Sequence, residues 1–158
     1  MDRRAFLILP AALLLTATAR AQPADLLPAE EAFRLSVRRE AGGVLVFRWD
    51  IVEGHYLYRE RFEARDAETG APLPLDTPPG KMEEEDANFG PSEVYYDEAL
   101  ARLVPGEAER VTLVWQGCRK NEICYPPVAA TVDTRTLAIN DAGGGRDLDA
   151  APQARSVT

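Results

Sequence analysis

The sequence has few of the residues from which most catalytic centres are built, with one histidine and two cysteines among 158 residues. His55 and the two cysteines could give zinc three ligands, but cysteines in an exported chain usually oxidise to disulfides. His55 is also the only histidine that could activate a cysteine nucleophile, and its place beside Tyr56 on an extended segment favours a packing role. A glycine-rich phosphate loop is missing as well. We therefore expect no metal and no organic cofactor.

Long apolar runs and an excess of positive charge are also missing. No apolar run approaches the roughly 18 residues that a membrane helix requires, so the chain is not expected to span a membrane. Acidic residues outnumber basic ones by 26 to 18, which gives a net charge of -8. Phosphates would repel such a chain, and this excludes nucleic acid as an expected partner.

The first 21 residues have the layout of an export signal. Arg3 and Arg4 precede the apolar run Ala5–Leu15, and Ala19-Arg20-Ala21 has the small-x-small pattern of a cleavage site. We expect cleavage near Ala21, by a Sec or a twin-arginine route that the pattern leaves open; a buried N-terminal helix is the alternative. Residues 22–29, which are rich in proline and alanine, are expected to form a linker.

Apolar and polar residues alternate along much of the remaining chain, as they do in strands with one face in water. Strand patterns occur at 33–37, 44–49, 55–65, 93–96, 99–104, 110–115 and 128–132. Seven or more short strands in about 110 residues indicate an all-β sandwich. The segment 140–158 has few bulky apolar residues and is expected to be a flexible tail.

Residues 66–91 differ from the rest because proline, glycine and the acidic run Glu83–Asp86 interrupt any regular pattern. Long irregular segments in compact domains are often functional loops or lids. The composition alone is equally compatible with a solvated acidic loop.

The two cysteines, Cys118 and Cys124, are separated by five residues. If Cys118 ends one strand and Cys124 begins the next segment, a hairpin brings their Cα atoms within the range that a disulfide needs. Closing so short a loop stabilises a chain by only about 2–2.5 kcal/mol in the chain-entropy model. A domain of this size can bury its own core, so the bond is a weak staple. The spacing alone leaves open whether the pair is structural or redox-active.

Three motifs together resemble the N-terminal periplasmic domain of the thiol:disulfide interchange protein DsbD. They are Gly54-His55-Tyr56-Leu57-Tyr58-Arg59, then Pro79-Gly80 with Asp86-Ala87-Asn88-Phe89-Gly90 and Glu93-Val94-Tyr95, and finally Gly117-Cys118-x5-Cys124-Tyr125-Pro126-Pro127. They occur in the family's order and cover about 30–135.

The resemblance implies an immunoglobulin-like β-sandwich over 30–139, with a redox-active cysteine pair at one end. It implies that Cys124 forms the mixed disulfide with partners and that Cys118 resolves it. A cap loop would shield the pair with the single aromatic Phe89, where many members have two adjacent aromatics. The remaining residues expected at the site are Asp86, Asn88, Gly90, Tyr56, Tyr58 and Tyr125.

The same resemblance implies a periplasmic location and electron transfer to thioredoxin-like or disulfide-isomerase proteins. Because no membrane helices and no thioredoxin-like segment follow in this sequence, we expect a separate membrane electron donor. The alternative is an exported immunoglobulin-like binding or chaperone module with a structural hairpin disulfide. The position of Phe89 relative to the cysteines discriminates between the two.

Overall fold

The computed structural model describes residues 26–86 and 88–142. The expected export signal, residues 22–25 of the expected linker and residues 143–158 lie outside the described residues. The single short helix among the described residues is α1, Ala29–Ala32, at the end of the expected linker. The strands are β1 Phe33–Arg39, β2 Leu45–Ile51, β3 His55–Tyr58, β4 Glu63–Asp66, β5 Pro72–Leu73, β6 Lys81–Glu83, β7 Ser92–Tyr95, β8 Glu98–Leu103, β9 Arg110–Trp115, β10 Gly117–Arg119, β11 Ile123–Cys124, β12 Val128–Asp133 and β13 Ile139–Ala142.

The strands form three antiparallel sheets. The first has the order β1-β2-β8, the second β11-β10-β3-β7-β6, and the third β13-β12-β9-β4-β5. The inward residues of the three sheets share one hydrophobic core, in which the indole rings of Trp49 and Trp115 pack edge to face with centroids 5.5 Å apart. This arrangement confirms the all-β sandwich expected from the alternation.

Strand β3 separates this main core from a second, smaller cluster. Its four residues are all buried, and alternate side chains face opposite sides of the strand. Leu57 belongs to the main core, whereas Tyr56 and Tyr58 belong to the second cluster together with Val94 and Cys118. The second cluster therefore lies on the far side of the sheet that contains the cysteines.

One strand prediction was wrong because the chain crosses between sheets where its sequence still alternates. Residues 55–65 are not one strand: β3 ends at Tyr58, a 3₁₀ turn covers Arg59–Arg61, and β4 continues in another sheet. The strand predicted at 110–115 is β9, and the short strand that contains Cys118 is separate from it. Cys118 lies in β10, which belongs to a different sheet from β9.

The irregular segment and the tail also contain more regular structure than expected. Strands β5 and β6 lie within 66–91, each paired at the edge of a sheet. Strand β13 pairs with β12 through residue 142, so the boundary of the flexible tail at 140 was placed too early.

Candidate functional site

The two cysteines lie opposite each other on β10 and β11 and form a disulfide, with their Cα atoms 3.9 Å apart. Cys118 is only 1% exposed, whereas Cys124 is partly exposed. The two sulfur atoms therefore differ in access, and a reagent from solvent reaches Cys124 first.

Gly117 allows the disulfide strand to approach β3 closely. A Cβ atom at this position would lie 2.3 Å from the carbonyl oxygen of Tyr56 and 2.7 Å from the side chain of Phe33. No other residue fits without moving β10 away from β3. The close approach places Cys118 directly opposite Tyr56 in the antiparallel pair.

Two tyrosines from β3 line the buried side of the disulfide. The hydroxyl oxygen of Tyr58 lies 3.2 Å from Sγ of Cys118 and 3.9 Å from Sγ of Cys124. The rings of Tyr56 and Tyr58 pack edge to face, with centroids 5.3 Å apart. Both hydroxyls donate to Oδ2 of Asp86, that of Tyr58 at 2.7 Å.

Asp86 connects these tyrosines to the segment that follows it in the chain. Its Oδ1 accepts hydrogen bonds from the backbone N–H groups of Asn88 at 2.9 Å and Phe89 at 2.7 Å. Its carbonyl oxygen accepts from the N–H of Gly90, which has the positive φ of 71° that favours glycine. We call residues 84–86 and 88–90 the cap segment.

The electrostatics of this network favour a carboxylate and neutral phenols. Burial alone would raise the pKa of Asp86, but the hydrogen bonds from the two tyrosines and the two amides outweigh it and lower that pKa. Burial raises the pKa of Tyr58 to about 12, and burial together with the carboxylate raises the pKa of Tyr56 further. At neutral pH both tyrosines are therefore hydrogen-bond donors to a charged Asp86.

Phe89 packs on Tyr58, the residue that touches both sulfur atoms. The two rings meet edge to face with centroids 5.0 Å apart, and Phe89 remains 41% exposed. The guanidinium carbon of Arg61 lies 4.6 Å from the centroid of the Phe89 ring. The cap aromatic is thus held between a site tyrosine and a cation.

Tyr125 does not join this group, although it directly follows Cys124. Its ring packs in the main core against Phe33 at 5.3 Å, and its hydroxyl donates to the carbonyl oxygen of Leu27 at 2.9 Å. Its hydroxyl also lies 3.3 Å from Nε2 of His55, which is buried as a packing residue. The structure brings together the other expected residues: Cys118, Cys124, Tyr56, Tyr58, Asp86, Asn88, Phe89 and Gly90.

One polar group beside the disulfide is not among the residues expected at the site. A cavity of about 400 Å³ lies between the cap segment and the loop that joins the cysteines, and its lining includes Tyr56, Asp86, Glu83 and Lys120. Nζ of Lys120 lies 2.8 Å from Oε2 of Glu83, which also accepts a hydrogen bond from Tyr96. The position of Lys120 between the two cysteines was the one available signal.

Within 26–86 and 88–142 no three histidine, cysteine, aspartate or glutamate side chains converge as a metal site. No helix in the same ranges is long and apolar enough to cross a membrane.

Comparison with known families identifies this architecture. Residues 23–136 match the family model described as thiol:disulfide interchange protein DsbD, N-terminal. The chain belongs to this family. It is 36% identical over 139 residues to thiol:disulfide interchange protein DsbD 2 of Pseudomonas aeruginosa, which covers 80% of this chain and 23% of that relative. It is 34% identical over 149 residues to DsbD of Ralstonia nicotianae, covering 92% of this chain and 24% of that protein. The chain thus spans about a quarter of the length of these relatives.

Solved structures of the same domain resemble this one. The N-terminal domain of Neisseria meningitidis DsbD in the reduced form superimposes with a TM-score of 0.60 at 29% identity, covering 77% of this chain and 98% of that domain. The complex between the DsbD N-terminal and PilB N-terminal domains of the same organism gives a TM-score of 0.58 at 28% identity, covering 73% of this chain and 92% of the matched one. The expected immunoglobulin-like sandwich is confirmed.

Proposed function

We propose that this chain is a periplasmic thiol–disulfide exchange protein that passes reducing equivalents through Cys118 and Cys124 to partner disulfides. The observation that carries the proposal is the asymmetric disulfide, with Cys118 buried and Cys124 partly exposed, in a chain of the DsbD N-terminal family. The pair also lies outside the main core, so the bond can open without disturbing the packing that holds the sandwich.

The reaction begins with both cysteines reduced. The Cys124 thiolate attacks one sulfur of the partner disulfide; that S–S bond breaks, and the other partner sulfur leaves as a thiolate that takes up a proton. Cys118, after losing its proton, then attacks Sγ of Cys124 in the mixed disulfide. The bond between Cys118 and Cys124 forms, the partner leaves as a dithiol, and two electrons have moved to the partner.

The surrounding residues have roles that follow from their contacts. The Tyr58 hydroxyl donates a hydrogen bond to Asp86. The oxygen of that hydroxyl lies 3.2 Å from Sγ of Cys118 and is therefore free to accept a hydrogen bond from the thiol of reduced Cys118. Cys118 is thereby kept as the protonated resolving thiol while Cys124 attacks. Phe89, packed on Tyr58, restricts the approach of disulfides other than those of partners.

The partner class follows from the family. We propose thioredoxin-like or disulfide-isomerase proteins as electron acceptors, and a membrane-embedded component as the electron donor that regenerates the dithiol. The Neisseria complex of a DsbD N-terminal domain with a PilB N-terminal domain supports a protein, rather than a small molecule, as the partner.

Trapping tests the proposal. In Cys118→Ser the attacking thiol remains and the resolving thiol is absent, so we expect mixed disulfides with periplasmic proteins to accumulate and to disappear on reduction. Cys124→Ser is the matched control and should trap none. Electron transfer to a partner that persists in Cys124→Ser would refute the assignment of the attacking residue.

The reduction potential separates exchange from the alternative of a binding module with a structural bond. An exchange pair should equilibrate with a glutathione buffer, whereas a structural disulfide has a potential below about -300 mV. A value below that limit, together with no trapped partner, would favour the binding module.

A further inference from the structure

The cap segment is anchored firmly at its centre. The carboxylate of Asp86 accepts four hydrogen bonds, two from the site tyrosines and two from the amides of Asn88 and Phe89. These bonds fix the middle of the segment. They do not fix the strand end that leads into it or the Phe89 ring near its other end.

The leading end is held by an ion pair to the disulfide loop. Glu83, the last residue of β6, is 19% exposed at its side chain, and its Oε2 lies 2.8 Å from Nζ of Lys120. The Lys120 ammonium also lies 5.6 Å from the ring centroid of Tyr96, whose hydroxyl donates to the same carboxylate. The backbone N–H of Lys120 donates to the carbonyl of Gly54, so this residue is itself fixed to the sheet.

The Phe89 end is held by the guanidinium of Arg61 on the 3₁₀ turn between β3 and β4. A cation over an aromatic ring at this distance is attracted by the ring quadrupole, and the planar guanidinium stacks better than an ammonium. Tyr58 occupies the ring's other contact, edge to face at 5.0 Å. Phe89 therefore contacts the buried ring of Tyr58 and the guanidinium of Arg61.

We propose that Lys120 and Arg61 are positioning residues for the exchange reaction, which hold the two ends of the cap segment against the tyrosines and so set how readily a small thiol reaches Cys124. This inference deepens the proposed function and rests on it for its biological meaning. Its test needs no partner protein, however, so a failure of this inference is distinguishable from a failure of the proposed exchange function.

The chain offers matched controls for both residues. Lys81 also lies near the ring of Tyr96, at 5.8 Å, but the described contacts give it no ion pair with Glu83. Arg65 pairs with Glu63 on β4 at 2.8 Å, away from the cap segment. Replacing either removes one positive charge and leaves the Lys120–Glu83 ion pair and the Arg61–Phe89 contact in place.

The experiment measures reduction of the oxidised protein by dithiothreitol, quenched with acid and followed by the mass of alkylated cysteines. A dithiothreitol thiolate attacks Sγ of Cys124, Cys118 leaves, and the second thiol of the reagent closes its ring and releases Cys124. We expect Lys120→Met and Arg61→Met each to accelerate this reaction about 2–5-fold, which corresponds to a partly exposed ion pair or cation–π contact. Lys81→Met and Arg65→Met should react at the wild-type rate or more slowly, because the attacking thiolate is negative.

Reversing the charges of Lys120 and Glu83 tests whether the ion pair itself sets the rate of reduction. The double variant Lys120→Glu with Glu83→Lys restores the ion pair with its sign exchanged, and its rate should return toward wild type, whereas Lys120→Glu alone should be fast. A purely structural role for the lysine would not be rescued in this way. Unchanged rates in Lys120→Met and Arg61→Met, equal acceleration in the Lys81 and Arg65 controls, or no rescue by the reversed pair would each overturn the proposal.

Discussion

The main core and the disulfide cluster are built from different chemistry, although β3 contributes to both. The main core is apolar and aromatic, centred on the packed indoles of Trp49 and Trp115. The cluster on the other side of β3 contains phenols and sulfur around one buried carboxylate. Burial of apolar surface is the main source of folding free energy in the main core, whereas in the cluster hydrogen bonds hold the sulfur atoms and the groups around them in place. Stability and reactivity can therefore be changed separately in this domain.

The largest expected effect comes from the main core. Trp49→Ala should lower the free energy of unfolding by about 3–5 kcal/mol, because it removes a fully buried indole and leaves a cavity. Dithiothreitol should reduce the remaining folded protein at the wild-type rate. Urea denaturation and the reduction assay measure the two quantities. Val104→Ala, at an exposed position, is the control and should stay within about 0.5 kcal/mol of wild type.

Removing the disulfide should affect the exchange reaction strongly and the free energy of unfolding less than Trp49→Ala does. Cys118→Ser combined with Cys124→Ser should abolish exchange while lowering the free energy of unfolding by only about 2–2.5 kcal/mol, since the closed loop is short. Urea denaturation of reduced wild-type protein provides an independent estimate that should agree. Global unfolding on reduction would show that the two regions are not separable.

Asp86→Asn tests the carboxylate at the centre of the cluster. The folded-state pKa of Asp86 is lowered, so its charge contributes stability that is fully present above the ordinary aspartate pKa and lost as the pH falls through the folded value. We expect a loss of about 1–2 kcal/mol at pH 7 for the variant. The difference from wild type should shrink below about pH 4. Asp76→Asn, at an exposed aspartate, is the control and should stay within about 0.5 kcal/mol of wild type at pH 7 in the same urea denaturation.

Tyr58 and Tyr125 allow a direct comparison of the disulfide cluster with the main core, because each donates one hydrogen bond to a fixed oxygen. Tyr58→Phe and Tyr125→Phe should each cost roughly 0.5–1.5 kcal/mol, because Asp86 or the Leu27 carbonyl loses a donor. Only Tyr58→Phe should accelerate reduction by dithiothreitol, about 2–5-fold, since it loosens the cap. Equal kinetic effects from the two variants would contradict the assignment of Tyr125 to the main core.

The sequence predicted well those features that depend on local spacing. Alternation identified the sandwich strands, and the spacing of Cys118 and Cys124 indicated their bond. The same rule of alternation could have placed Tyr125, because a residue next to Cys124 on an extended chain points to the opposite face. The family resemblance, rather than spacing, brought Asp86 and the tyrosines into consideration.

Features that depend on contacts between distant segments could not be predicted. The crossing from β3 to β4 leaves the apolar pattern intact, so nothing local indicates that two sheets are involved. The pairing of Glu83 with Lys120 joins positions 37 residues apart. Lys120 lies between the cysteines and Glu83 begins the acidic run, but only the approach of β6 to the disulfide loop brings the two side chains into contact.

Gln116 is the one residue between β9 in the sandwich and β10 at the disulfide. Its carbonyl accepts the N–H of Tyr58 at 3.0 Å, and its side-chain amide donates to the carbonyl of Tyr125 at 3.0 Å. The nine residues that follow it, 117–125, therefore leave and rejoin the scaffold at nearly one point. For protein engineering, insertions in this hairpin therefore belong in its loop at 121–122 and not at Gly117 or Tyr125, which pack against the sandwich.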